Sequence, residues 1–289
     1  MTEIDPPAYT QLGPGYIQIE FSNLKQFVDY LYSEMLDFEA YVWRGQRCDT
    51  WALETTLDRL IRQSKVSRSS DFIARHLEAF KYAARGRRGP NPSPLTDEND
   101  WWALGQHHDL ATPLLDWSNS PFVAAYFAFS DVGESQTPSR AIFALHRPSV
   151  EYRVDVKKAA ENGQRREKLE SRREAGTLGI LESVWLEAKA EPDLVFVRPF
   201  SDENNRLVSQ RGLFTRSRTE LSIEDWVQQH QHFPDDDSGH TLLKLLVPDT
   251  ERTKCLQLLN RMNINSLSLF PDLTGASKYC TLLAQIDNY

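Results

Sequence analysis

Three stretches of the chain carry side chains able to do chemistry. In YVWRGQ (residues 41–46), Arg44 stands between Trp43 and Gly45, with Gln46 following, at what reads as the end of a strand. A guanidinium is a planar fork that pairs two anion oxygens and keeps its charge. In GQHHDLATPLLDWSNSPFVAAYFA (105–128), His107 and His108 precede Asp116, Trp117 and Ser118. Histidine titrates near neutrality and suits a general base, Asp116 offers a carboxylate and Ser118 a hydroxyl. In RLVSQRGLFT (206–215), Gln210 can grip a hydroxyl but supplies no negative charge.

Each of these residues also has a plainer reading. Arg44 can bridge Asp116 as a structural ion pair. Gly45 and Gly212 can be turn glycines. One histidine of the pair can cap the end of a helix. Trp43, Trp101, Trp102 and Trp117 can fill the core or wall an aromatic cleft. Gln210 can satisfy buried backbone groups. A metal-free nuclease built on His107, His108 and Asp116 is weakened because adjacent residues of an extended segment face opposite ways.

Composition narrows the classes. The chain has 289 residues, 40% hydrophobic and 26% charged, an ordinary globular balance. No apolar run approaches the roughly 20 residues of a membrane span. The first ten residues, MTEIDPPAYT, lack the basic-then-apolar pattern of a secretion signal. Cys48, Cys255 and Cys280 are widely spaced and odd in number, which argues against a disulfide framework or a zinc site and favours a reducing, cytoplasmic setting. The net charge of −8 excludes the global positive field of a non-specific nucleic-acid binder. A local basic groove around Lys81, Arg85, Arg87 and Arg88 stays open beside the reading of a solvated helix end.

The elements that must position these residues follow from periodicity. Leu24, Phe27, Val28 and Leu31 repeat at helical spacing after Ser22 and Asn23, either of which can cap. Residues 40–43 read as a short strand, and a helix begins near Ser70. Residues 86–100, rich in glycine and proline, form a loop, after which Asp97 or Asn99 caps a helix bearing Trp101 and Trp102. Residues 112–117 are extended, and Pro121 opens an apolar core helix. AIFALHR, LVFVRPF and TLLKLLVP read as core strands, and residues 165–173 as an exposed helix or a mobile insertion. The C-terminal part reads as helix, short strand (SLSLFPD) and helix. Without repeats or low-complexity linkers, residues 15–287 are expected to form one domain.

The three stretches together resemble the FRG-domain family, whose aromatic-Arg-Gly-Gln signature matches residues 41–46. Residues 105–128 resemble that family's Gln-His and Leu-Leu-Asp-Trp block. RLVSQRGLFT with LSLFPDLTGAS resembles its C-terminal segments, so the likeness runs from about Phe21 to Ser277. More distantly, the order of a strand-end Arg-Gly, a polar strand and an Ala-x-x-Phe-like helix resembles ADP-ribosyltransferases. That resemblance implies an α+β fold with a mixed, mainly antiparallel sheet and flanking helices.

It also implies NAD as substrate and no metal. Arg44 would hold the pyrophosphate, with Trp43, Gly45, Gln46, Trp117 and Ser118 around the cofactor. Asp116, His107 and Gln210 would join Arg44 in catalysis, Gln210 standing where the transferases place a glutamate. The expected protein is a bacterial toxin or anti-phage effector modifying a nucleic acid or protein, with an antitoxin as a further partner and no membrane role. The rival expectation is a non-catalytic module that binds a nucleotide or nucleic acid.

Overall fold

The computed structural model describes residues 6–35, 38–131, 137–175, 177, 182, 192–198, 209–230 and 240–289. Its centre is a sheet of eight strands: β1 (Ala8–Gly13), β2 (Tyr16–Glu20), β3 (Tyr41–Gln46), β4 (Leu114–Ser118), β5 (Ser139–His146), β6 (Leu194–Val197), β7 (Gly212–Ser217) and β8 (Leu242–Pro248). They lie in the order β1-β2-β8-β5-β3-β4-β7-β6. Only β2 and β8 run parallel; the other pairs are antiparallel. The α+β class with a mixed, mostly antiparallel sheet is therefore as expected.

Alternation sorts the strand residues onto two faces. Trp43, Ile142, Ala144, Leu243 and Leu245 point to one core. There they meet α1 (Leu24–Glu34), α5 (Pro121–Ser130), α8 (Arg252–Arg261) and α10 (Leu273–Gln285) through Phe27, Ala124, Ala128, Leu256 and Leu282. Val42, Phe143, Leu145 and Leu246 point the other way, onto α6 (Arg147–Glu174) and α7 (Ile223–Gln229), reached through Val150 and Trp226. A third cluster packs α3 (Ser70–Ala83) and α4 (Glu98–His107) on Leu114 and Phe214, through Leu77 and Trp102. The helical layer on the first face thus changes between β3 and β4.

The caps are local. Asn23 accepts from Gln26 N, Asp97 from Asn99 N and Ser120 from Val123 N, the last with Pro121 in the first turn. The charged stretch 165–173 is the end of α6, not an insertion. SLSLFPD is corrected from strand to a short helix, α9 (Ser266–Leu269). Asn265 caps it by accepting from Leu267 N and Ser268 N, and Ser268 reaches back to the Asn265 amide. The hairpin β1–β2, α2 (Thr56–Ser64) and α7 were not anticipated. Of the expected segments, Pro199, Phe200 and residues 206–208 lie outside the described residues. No helix among the described residues is long and apolar enough to cross a membrane.

Candidate functional site

The sheet is weakest where the layers change. β3 pairs with β5 along residues Tyr41 to Gln46, and β4 with β7 along Leu114 to Ser118. Between β3 and β4 there is a single pairing, Trp43 with Ser118. Beyond Trp43 the two strands diverge, leaving backbone groups that a continued ladder would have paired. Arg44 reaches across this gap. Its Nη1 donates to the Asp116 carbonyl at 2.9 Å and lies 3.6 Å from the Asp116 carboxylate.

A cavity of about 1130 Å³ opens at the split, above the roughly 300–1,000 Å³ usual for ligand clefts. Arg44, Gln46, Trp51, Arg59, Asp116 and Gln210 are among its lining residues, and His107 lines it from the end of α4.

Arg44 is mostly covered, its side chain 20% exposed, while that of Asp116 is 61% exposed. Burial pulls the guanidinium pKa below its ordinary value, and the nearby Asp116 carboxylate opposes that fall. Arginine nevertheless keeps its charge. Its Nε is buried without a partner among the described residues. Gln106 Nε2 donates to the Asp116 carboxylate at 2.8 Å, and Thr112 donates in turn to Gln106 Oε1. Thr112, Gln106, Asp116 and Arg44 therefore form one polar chain, which runs from the buried Thr112 to three residues of the cavity wall. Gln106 adjoins His107 in the sequence, but its reach to Asp116 depends on how α4 lies on β4.

The remaining anticipated residues divide by exposure. Trp43 is 0% exposed and Trp117 3%, with the Trp117 Nε1 donating to Thr215 Oγ1 at 2.9 Å. Both rings are buried in the core, and both residues are among those lining the cavity. Ser118 is buried; its hydroxyl donates to the Gln210 carbonyl at 2.8 Å and accepts from Ser120 N at 3.1 Å, so it ties β4 to the turn before β7. Gln46 is buried too, and its Nε2 donates to the Ala52 carbonyl at 3.2 Å.

Gly45 lies within β3 and is not a turn glycine. A Cβ there would lie 1.9 Å from the Ala124 carbonyl oxygen, so the residue exists to let β3 touch the α5 backbone. Gln210 lies in the turn that precedes β7. Its Nε2 donates to the Leu269 carbonyl at 3.1 Å. His107 and His108 sit edge to face, centroids 4.9 Å apart, with His108 capping α4.

Two groups went unnoticed in the sequence. Trp51, 44% exposed, lies under the Arg47 guanidinium at 5.2 Å on the cavity rim, and Arg47 also pairs with Asp131 at 2.9 Å. Glu224, on α7, accepts from Leu53 N at 2.8 Å, while its other carboxylate oxygen is buried without a partner among the described residues. Burial pushes its pKa up. Neither residue lies in a recognisable motif. No group of three His, Cys, Asp or Glu side chains placed to hold a metal ion occurs among the described residues.

Comparison with protein families adds one result: residues 39–137 match the FRG domain. The match takes in β3, α4, β4 and α5, hence Arg44, Gln106, His107 and Asp116. It is shorter than the likeness drawn from the motifs, and Gln210 and the C-terminal segments fall outside it. No curated protein and no solved structure matches the chain.

Proposed function

We propose that the cavity between β3 and β4 binds NAD and that the protein transfers ADP-ribose from it to a nucleic acid or protein. Residues 15–287 would act as one ADP-ribosyltransferase-like domain in a toxin or anti-phage effector. The observation that carries this reading is Arg44, a mostly covered guanidinium at the split of the sheet with the cavity before it.

Transfer breaks the bond between the ribose C1′ and the nicotinamide nitrogen. The bonding electrons leave with nicotinamide, and C1′ becomes cation-like until the acceptor's oxygen or nitrogen bonds to it. Arg44 holds the pyrophosphate as a charged fork. Asp116, its carboxylate fixed by Gln106, faces the developing positive charge in place of the missing glutamate. Gln210, anchored by Leu269, orients a ribose hydroxyl. His107 takes the proton that the acceptor loses.

One observation favours the rival reading of a binding module without chemistry: the amide nitrogen of Gln210 is already engaged by a backbone carbonyl, and it brings no charge. Incubating the protein with NAD labelled in the adenylate part, together with cell extract, separates the two. Transfer of label with release of nicotinamide supports the enzyme, and NAD binding without release supports the module. Arg44→Ala is expected to abolish NAD binding while the variant stays folded. A wild-type protein that does not bind NAD refutes the transferase reading and leaves only a module for another nucleotide or for nucleic acid.

A further inference from the structure

Four guanidiniums line the cavity, those of Arg44, Arg47, Arg59 and Arg62. Three of them face a carboxylate: Arg44 lies 3.6 Å from Asp116, Arg47 2.9 Å from Asp131 and Arg62 2.7 Å from Glu54. Nearby, Arg68 takes Asp58 at 2.9 Å. Arg59 differs. Its guanidinium donates from Nη1 to the Glu54 carbonyl at 3.1 Å, and no carboxylate lies within ion-pair reach of it among the described residues.

The position of Arg59 is set by α2. Thr55 caps this helix by accepting from Asp58 N, and the buried Leu57 and Ile61 fix its rotation. With those two residues turned inward, the helix presents Asp58, Arg59 and Arg62 to the cavity. Asp58 and Arg62 are engaged by Arg68 and Glu54, which leaves Arg59 as the charge on this face with no counterion among the described residues.

We propose that Arg59 and Arg44 form a two-guanidinium clamp for the diphosphate of a dinucleotide, gripping it from the α2 wall and from the sheet wall of one cavity. The inference rests on the reading of that cavity as an NAD cleft, and it adds the residue that completes the anion site. Like charges that converge on a cavity repel until an anion lies between them. After burial and Asp116, Arg59 is the next influence on the Arg44 guanidinium and works against its charge, which places the two cations in electrostatic reach. A diphosphate carries enough acceptor oxygens to pair both forks at once. Among the acidic residues that line the cavity, Glu54, Asp58 and Asp131 have cation partners.

Calorimetric titration of the full chain with ADP-ribose, inorganic pyrophosphate and adenosine tests this. Arg59→Gln is expected to weaken both phosphate ligands by on the order of tenfold to a hundredfold, the effect of losing one charge-assisted contact. Adenosine, which lacks the diphosphate, should bind as to wild type. Arg59→Lys should recover part of the loss, because a point charge replaces the fork. Arg75→Gln removes the same charge from an exposed pair with Asp71 and should change nothing; an equal loss there would assign the effect to net charge and overturn the clamp. Unchanged affinity of a folded Arg59→Gln for both phosphate ligands also overturns it and leaves the NAD reading standing. A wild type that holds pyrophosphate through Arg59 but takes neither ADP-ribose nor NAD upholds the anion clamp and overturns the dinucleotide reading.

Discussion

Replacing Gly45 by alanine adds one methyl group at the closest approach of the sheet to α5. That methyl carbon would lie 1.9 Å from Ala124 O, 2.6 Å from Ala128 N and 2.9 Å from Ala124 C. A carbon beside a carbonyl oxygen needs roughly 3.3 Å even in the closest favourable geometry, so strand and helix must part by more than about 1 Å. The obstacle is backbone on both sides, so no rotamer change relieves it. The helix cannot tilt away freely either, because Ala124, Ala125, Ala128 and Phe129 are buried against the rest of the first core.

Overpacking a close-packed site costs about 1–3 kcal/mol, and Gly45→Ala belongs at the upper end of that range. At roughly 2–4 °C per kcal/mol for a chain of this size, the unfolding midpoint should fall by about 5–10 °C. Gly163 supplies the control. It lies on α6, and a Cβ there meets nothing within 4 Å, so Gly163→Ala should stabilise by about 0.5–1 kcal/mol through helix propensity. Thermal unfolding followed by far-UV circular dichroism reads both variants. Parting β3 from α5 also moves Arg44 relative to Asp116, so Gly45→Ala should weaken the NAD binding proposed for this cavity. A Gly45→Ala protein melting at the wild-type temperature would refute the close-approach argument, and with it the claim that this glycine serves packing.

Two further outcomes follow from buried polar groups. The folded-state pKa of Glu224 is raised by burial, so the folded protein holds that proton more tightly than the unfolded chain. Its ionisation therefore costs stability as pH rises from the unfolded value of roughly 4.3 through the higher folded value. Glu224→Gln keeps an acceptor for Leu53 N and should be more stable than wild type above that window, with the gain fading below about pH 4. Urea titrations across pH check this, and a gain independent of pH would sink it. Gln210→Glu sets a carboxylate against the Leu269 carbonyl in place of a donated hydrogen bond and should cost about 1–3 kcal/mol at neutral pH. The loss should shrink under acid conditions, where a protonated carboxyl can donate again; equal stability at both pH values would mean that the contact contributes nothing.

Where structure is decided by a few neighbouring residues, the sequence is informative. Helix α5 is legible because Ser120, Pro121 and an unbroken apolar run all favour it, and β5 and β8 because apolar runs bounded by breakers do. The hairpin β1–β2 escaped notice because β1, AYTQLG, is exposed along most of its length and shows no apolar face. SLSLFPD misled through its two-residue alternation. The winning interaction is the Asn265 cap, which satisfies the first backbone amides of the turn and fixes it as helical before any face is buried.

The site was half legible for a related reason. Arg44 and Asp116 announce themselves in motifs, and the structure brings them within hydrogen-bonding reach. What no local pattern encodes is the split that makes them useful. β3 and β4 could pair further, since Gly45 and Asp116 would follow Trp43 and Ser118 in register. Instead β3 is drawn against α5 at Gly45, whereas β4 is covered by α3 and α4 through Leu114. Two helical layers holding two adjacent strands pull the ladder apart, and Arg44 satisfies a carbonyl that the missing rung leaves behind. The cavity there is lined by Arg44 from the sheet, Gln106-braced Asp116 from β4 and Arg59 from α2. These groups come from β3, α2 and β4, the last two separated in sequence by α3 and α4, and packing sets their convergence. Of the motif residues, Trp43, Trp117 and Ser118 are buried and Gly45 packs against α5, so they form the frame of the cavity that Arg44 and Asp116 also line.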